Sequence, residues 1–176
     1  MGWKNLKEHY QIEHIVQVNQ KGICIGSSYI SELALINTET GAITKNTAFR
    51  DLFRENYPAL LNASPSDLLE LINTPDSFEK SLTVYTYDGG EILEKQCEAY
   101  GWPNVTHDGV LMYENKFFTD KLHAIDAAIE NALARKSMMK DSIKQLNQEL
   151  KEKNFLLELE RANLDKLEAM LQQYNA

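Results

Sequence analysis

The sequence predicts an α+β fold: a small N-terminal antiparallel-sheet domain with short helices, followed by a long C-terminal coiled-coil helix. Two observations lead to this prediction. All Gly and Pro residues lie at or before Gly109, so the tail lacks the two residues that most often interrupt a helix. The tail also carries apolar residues in heptad spacing, whereas the preceding part alternates β-branched runs with turn residues. We therefore expect an acidic head domain at 1–118 and an oligomerisation helix at 119–176.

Three β-hairpins are predicted in the first domain. Each joins two strand-like runs through turn residues: 14–18 with 22–26, 33–36 with 42–44, and 82–87 with 91–93. The turn of the third hairpin is Asp88-Gly89-Gly90. The segment 91–100 carries signals for both strand and helix, so its assignment stays open.

Short helices are predicted between the second and third hairpins. Asn46 and Thr47 are N-cap candidates for a helix over 48–56, which Pro58 ends. Ser64 followed by Pro65 and an early acid is typical of a helix start, here leading into 68–72. A last short strand over 110–113 is expected before the long helix.

The tail has the apolar pattern of a coiled coil. With Leu122 at heptad position a, thirteen of sixteen a and d positions are apolar; the exceptions are Lys136, Lys153 and Glu160. Thr119 is expected to cap the helix, with Asp120 in its first turn. The expected oligomerisation residues are Leu122, Ile125, Ile129, Lys136, Met139, Ile143, Leu146, Leu150, Leu157, Leu164, Leu167 and Leu171.

A helix of this length needs a partner for its apolar stripe. At 1.5 Å per residue it would extend about 80 Å, too far to be covered by so small a head domain. Self-association as a homodimer or higher oligomer is therefore expected. The alternatives are that the last 20 residues fold back as a hairpin or bundle, or that the helix stands alone. The orientation of the helices in the coil stays open.

Charge and residue usage argue against several classes of function. The net charge is −8, and the acidic excess lies almost wholly in the first 119 residues, which counts against direct nucleic-acid binding. No window is apolar enough to predict a membrane span. Two cysteines and four histidines without metal-ligand spacing lead us to expect no metal, no cofactor and no catalytic centre, in a reducing cytoplasm.

One segment, 100–118, is rich in aromatic residues, which are common anchors at protein interfaces. The expected partner-binding aromatics are Tyr100, Trp102, Tyr113, Phe117 and Phe118. An acidic rim is expected at Asp88, Glu91, Glu94, Glu98, Asp108 and Glu114. The alternative is that these aromatics pack the junction between the sheet and the long helix.

The same segment carries a resemblance. Its pattern G-W-P-N-V-T-H-D-G-x-L-M-Y-E-N-x-F-F at 101–118, followed by an Ala-containing helix, is similar to segments in small proteins encoded by phages and prophages. The resemblance implies a phage accessory protein in the bacterial cytoplasm. Proteins of that kind often bind and block a host enzyme or a defence complex, anti-CRISPR proteins included. It implies no catalytic residue.

Taken together, these observations predict a non-catalytic interaction protein. It would be a coiled-coil homo-oligomer that binds and inhibits a host or defence protein, and its acidic head would also suit mimicry of nucleic acid. One alternative is a phage structural or scaffold component, which would assemble further through the tail. The other is an enzyme of unknown type, which would need a deep pocket with convergent titratable groups.

Overall fold

The computed structural model of this chain describes residues 1–27 and 29–175. It confirms the α+β class, since an N-terminal antiparallel sheet and short helices precede a long C-terminal helix. The chain divides into two compact units, Met1–Ala128 and Ile129–Ala176, so the first turns of the long helix belong to the first unit. Ala176, the last residue of the predicted helix, lies outside the described residues.

The helices are α1 (Trp3–His9), α2 (Arg50–Asn56), α3 (Pro58–Leu61), α4 (Pro65–Asn73) and α5 (Lys121–Tyr174), with a 3-10 turn at Thr47–Phe49. The strands are β1 (Ile15–Asn19), β2 (Gly22–Gly26), β3 (Ala34–Ile36), β4 (Ile43–Lys45), β5 (Leu82–Asp88), β6 (Glu91–Cys97), β7 (Asn104–Val105) and β8 (Leu111–Met112).

All three predicted hairpins are confirmed. Strands β1 to β4 form one antiparallel sheet in sequence order, so both N-terminal hairpins lie side by side in it. Strands β5 and β6 pair along their whole length, from Leu82 opposite Cys97 to Asp88 opposite Glu91. The open segment 91–100 is therefore a strand as far as Cys97.

The main core lies between the four-stranded sheet and helices α1 to α4. Leu6, Ile23, Phe53 and Leu68 are fully buried there. Helix α1 was not predicted, yet it supplies Trp3 and Leu6 to this core. The Gly2 amide donates to the Ile72 carbonyl at 2.7 Å, and a side chain at Gly2 would collide with the α4 backbone.

The Ser64 helix start is confirmed, whereas the other two starts are corrected: Asn46 caps the 3-10 turn at Thr47–Phe49, so that the first of these helices begins only at Arg50, and the long helix has a different cap from the one predicted. The Asn46 side chain accepts from the Ala48 amide, and Ser64 accepts from the Asp67 amide. At α5, Asp120 rather than Thr119 is the cap, because its Oδ1 accepts from the His123 amide at 3.1 Å. A carboxylate at this position also interacts favourably with the positive end of the helix dipole.

Helix α5 is continuous from Lys121 to Tyr174. The alternative in which its last 20 residues fold back as a hairpin is therefore wrong. The uninterrupted run follows from the absence of Gly and Pro after residue 109. Within the described part of the chain, no helix combines the length and the apolar character that crossing a bilayer requires.

Candidate functional site

The aromatic segment, which contains the paired strands β7 and β8, is tied to the four-stranded sheet and to the β5–β6 hairpin. The Val18 amide on edge strand β1 donates to the Gly109 carbonyl at 2.7 Å, and the His107 amide donates to the Gln96 carbonyl on β6 at 2.7 Å. The Trp3 indole of α1 donates to the His107 carbonyl at 3.0 Å. Residues 106–109 form a turn, and these bonds anchor it, so His107 has a structural role.

Phe118 belongs to a sheet rather than to an open binding surface. Its amide donates to the Tyr85 carbonyl at 2.8 Å, and its carbonyl accepts from the Tyr85 amide at 2.7 Å. This bridge extends the β5–β6 hairpin by one residue pair at the β5 edge. Phe118 is half-buried, as the junction-packing alternative expects of it.

Three other predicted aromatics present surface to solvent. The Trp102 and Tyr113 rings stack with centroids 5.0 Å apart and planes inclined by 24°. Tyr113 is 48% exposed and Tyr100 is 51% exposed. The stack holds two large rings in fixed positions, which lowers the entropy lost when a partner covers them.

A groove of about 320 Å³ adjoins this stack. Its apolar lining comes from the β5–β6 hairpin and from the segment after Gly109, and consists of Tyr87, Leu93, Val110, Leu111, Tyr113 and Phe117. Its polar lining is Thr86, Asp88, Lys95 and Lys116. Three predicted contact residues, Asp88, Tyr113 and Phe117, are thus brought together, and Trp102 stacks on one of them.

Thr86 gives this groove a polar position that needs a partner. The side chain is 5% exposed, and its hydroxyl oxygen makes no hydrogen bond within the described residues. A buried hydroxyl without a partner costs about 1–3 kcal/mol, which a bound polar group would recover. Thr86 was not predicted; its signal is a polar residue following Leu82 and Val84 on the inward face of the alternating strand β5.

Two of the six predicted rim acids are already paired within the first unit. Burial opposes the charge of Asp108, but hydrogen bonds from Lys95 and Thr106 outweigh it and hold its pKa below the ordinary value. Burial likewise opposes the charge of Glu98, but the hydrogen bond from Lys4 at 2.8 Å outweighs it and lowers the Glu98 pKa. Because both carboxylates already have a lysine partner in the first unit, they are less available for ion pairs with another protein than the prediction of an acidic rim requires.

The other four rim acids are exposed. Asp88 and Glu91 lie opposite each other at the hairpin end, Glu94 lies further along β6, and Glu114 follows Tyr113. None of the four has an ion-pair partner within 4.0 Å among residues 1–27 and 29–175. Of these four acids, Asp88 lines the groove, and Glu91 lies opposite it on β6.

A second cleft, of about 460 Å³, lies between α1 and the segment 98–105. It contains the Lys4–Glu98 pair and Lys7, whose pKa burial lowers. Among the described residues, its lining consists mainly of the lysines and glutamates of α1 and Glu98, with Trp3, Ile12, Ile15 and Val105 as the large apolar side chains.

The predicted oligomerisation residues lie along α5. Among them Leu122, Ile129, Met139, Ile143, Leu146, Leu150, Leu157, Leu164, Leu167 and Leu171 are 49–63% exposed. Lys136 is also exposed, and Ile125, within the first unit, is half-buried. Every described residue from 129 to 175 is exposed, so the stripe has no cover within the second unit.

Comparison of the chain with protein-family models, with curated proteins and with solved structures finds no match. Within the part of the chain that the structure describes, no three His, Cys, Asp or Glu side chains form a group that could hold a metal ion.

Proposed function

We propose that this chain is a non-catalytic interaction protein that self-associates through α5 and binds a protein partner at the groove and aromatic stack of its first unit. The observation that carries the proposal is the exposed apolar stripe of α5 at a and d spacing. Fully burying one Leu or Ile side chain is worth about 1.5–3 kcal/mol. A stripe of nine Leu and Ile residues and one Met, all exposed to water, is therefore strongly driven to find cover, and a second α5 offers a matching surface.

The first unit supplies the second part of the proposal. The groove combines apolar lining, a buried hydroxyl without a partner and an exposed ring stack, the features of an anchor site for a protein side chain. Asp88 in its lining and Glu91 opposite it favour a partner with a basic group at that end of the groove. Two heads on one dimer would raise avidity without any new contact.

The similarity of 101–118 to phage and prophage proteins sets the proposal in the bacterial cytoplasm, with a host enzyme or defence complex as the partner that is blocked. A phage structural component is the second candidate. It is favoured by exposed apolar residues of α5 outside the a and d positions, such as Met138, Phe155 and Leu159. These would serve contacts beyond a two-stranded coil.

The oligomeric state tests the first part. We expect the wild type to sediment as a dimer, and the triple variant Leu146→Gln, Leu150→Gln, Leu164→Gln to sediment as a monomer at the same concentration. The matched control is Met138→Gln, Phe155→Gln, Leu159→Gln, which removes three exposed apolar groups from the same helix outside the seam. It should stay dimeric.

Three results would go against this expectation. A monomeric wild type overturns self-association. Dissociation of the control but not of the seam variant overturns the assignment of the seam. Larger, concentration-dependent assemblies of the wild type that the control variant reduces favour the structural candidate.

Affinity capture from bacterial lysate with mass spectrometry tests the second part. We expect a protein captured by the wild type to be lost by the double variant Trp102→Ala, Tyr113→Ala and retained by Tyr29→Ala. Tyr29 is 96% exposed and belongs to the connection between β2 and β3, so its replacement removes one exposed aromatic ring at another place. Equal capture by all three proteins would show that the stack is not the contact.

A further inference from the structure

Two of the three polar residues within the apolar stripe are placed symmetrically along α5. Lys136 occupies an a position and Glu160 a d position, and both are exposed. The point midway between them is residue 148, and the middle of α5 (Lys121–Tyr174) falls within one residue of it. A positive and a negative seam residue thus lie at equal distances from the centre of the helix.

We propose that two copies of α5 pair in antiparallel orientation along their full length, so that Lys136 of each copy faces Glu160 of the partner subunit. This inference rests on the proposed self-association and adds its orientation and register. In an antiparallel pair, a positions face d positions of the other helix. Each opposed charge pair then occurs twice, because the dimer is two-fold symmetric.

The same register matches the remaining layers. Leu122 meets Tyr174, Ile129 meets Leu167, Met139 meets Leu157, and Leu146 meets Leu150 of the opposite helix. Ala132 meets Leu164, a small residue against a large one. The register that pairs the charges therefore also keeps all but one of the other layers apolar and uses the whole length of the helix.

The remaining polar layer is tolerable in this arrangement. Lys153 meets Ile143 of the opposite helix. A lysine can lay its methylene groups along an apolar neighbour and carry its ammonium group out to water. No second charge is forced against it.

A parallel, in-register pair of helices is less favourable for the three charged seam residues. It sets Lys136, Lys153 and Glu160 each against its own copy, which places three like-charge pairs in the seam. Like charges directly opposed at an interface are unfavourable by up to several kcal/mol. The opposed pairs of the antiparallel register remove two of these three conflicts.

The residues beside the seam disfavour the antiparallel orientation, but only weakly. The antiparallel register sets Asp126 near Glu168 of the opposite helix and brings the two copies of Glu149 close together. These residues occupy e and g positions, at the solvent edge of the coil, where charge pairs are screened and contribute about 0–1 kcal/mol. The seam residues are more completely covered in a dimer, so their charges decide the orientation.

Charge reversal in the full chain tests the pairing. Lys136→Glu alone and Glu160→Lys alone should each raise the dimer Kd at least tenfold, because each creates two like-charge pairs. The double variant should return the Kd to within about threefold of the wild type. Lys136 and Glu160 of one helix are too far apart to contact each other, so such rescue has to occur between copies.

The matched control is Glu130→Lys with Lys166→Glu. These residues are also equidistant from residue 148, but they lie at b and c positions outside the seam. Neither single change should alter the Kd appreciably. Single and double seam variants that all keep the wild-type Kd would overturn the antiparallel pairing and agree with a parallel coil.

Spin labels give a readout that does not depend on affinity. At an Ala134→Cys site, antiparallel copies place the two labels about 45 Å apart, whereas parallel copies place them about 20 Å apart. At a Gln148→Cys site both orientations give about 20 Å, which controls for the label itself. The native Cys24 and Cys97 are buried, so labelling under native conditions selects the new thiol.

The outcomes separate the two proposals. A wild type without dimers overturns self-association and the orientation with it. A dimer with a short distance at position 134, or with no rescue by the double reversal, overturns the orientation alone. A trimer or tetramer also overturns the two-stranded antiparallel pairing while leaving self-association intact.

Discussion

The two units of this chain treat their apolar side chains in opposite ways. Met1–Ala128 buries Leu6, Ile23, Phe53 and others completely between a sheet and its helices, whereas every described residue of Ile129–Ala176 is exposed. The sequence spacing accounts for the difference. Alternation at period two and short punctuated helices let a chain fold back on itself. A heptad repeat without Gly or Pro presents its stripe on one straight element, which has nothing of its own to fold against.

The comparison has an energetic consequence. The stability of the first unit should be a property of one molecule, because its core is complete within residues 1–128. The stability of the second unit should depend on protein concentration if its stripe is covered by another copy. Three measurements test this difference in stability between the two units.

The largest effect is expected from the same substitution made in each unit. Phe53→Ala should lower the free energy of unfolding of the first unit by about 3–5 kcal/mol, because it opens a cavity around a fully buried ring. Phe155→Ala, at a residue 71% exposed and outside the seam, should change stability by less than about 0.5 kcal/mol. Urea denaturation followed by tryptophan fluorescence and by circular dichroism checks both. Similar losses for the two variants would mean that Phe155 is packed in solution.

An intermediate effect is expected from dilution. A hundredfold decrease in concentration should destabilise a dimeric α5 by about 2.7 kcal/mol and leave the first unit unchanged. Both tryptophans, Trp3 and Trp102, lie in the first unit, so their fluorescence reports that unit alone. Circular dichroism at 222 nm follows mainly α5. Two transitions that move together on dilution would show that the first unit also depends on association.

The smallest effect is expected from the Lys4–Glu98 ion pair. The lowered pKa of Glu98 means that its contribution to stability is present above the ordinary carboxyl pKa and is lost as pH falls through the lowered value. Glu98→Gln should therefore cost about 0.5–1 kcal/mol near pH 7, after allowance for partial exposure, and less at pH 3. Chemical denaturation of both proteins at the two pH values checks this. A difference that grows toward low pH would contradict the sign.

The elements of this fold that depend on neighbouring residues could be predicted from the sequence, whereas elements that depend on distant contacts could not. The β5–β6 hairpin and the Ser64 cap are set by neighbouring residues, and both were predicted. Helix α1 was missed because it is short and its apolar residues become core only through packing against the rest of the unit. Asp120 rather than Thr119 caps α5 because this helix begins at Lys121, one residue later than a cap at Thr119 would require.

The candidate site was predicted only in part for the same reason. Aromatic density pointed to Trp102 and Tyr113, which do stack. It gave no means of separating Phe118, which pairs with β5, or Glu98, which pairs with Lys4 from 94 residues away. Thr86 joins the groove through the pairing of β5 with β6 and the return of the segment after Gly109. Such convergence is tertiary and leaves little trace in local composition.

The backbone bridge between Tyr85 and Phe118 has a mechanical consequence. It lies two residues before the Asp120 cap, and Ala124 in the first turn of α5 is fully buried in the first unit, so a pull on α5 loads both the buried start of the helix and two hydrogen bonds at the edge of β5. Under tension in an optical trap, these two hydrogen bonds should break before the four-stranded sheet unfolds. The segment before Phe118 would stay attached through the Val18–Gly109 and His107–Gln96 hydrogen bonds, so only the few residues next to α5 should be released while the core stays intact.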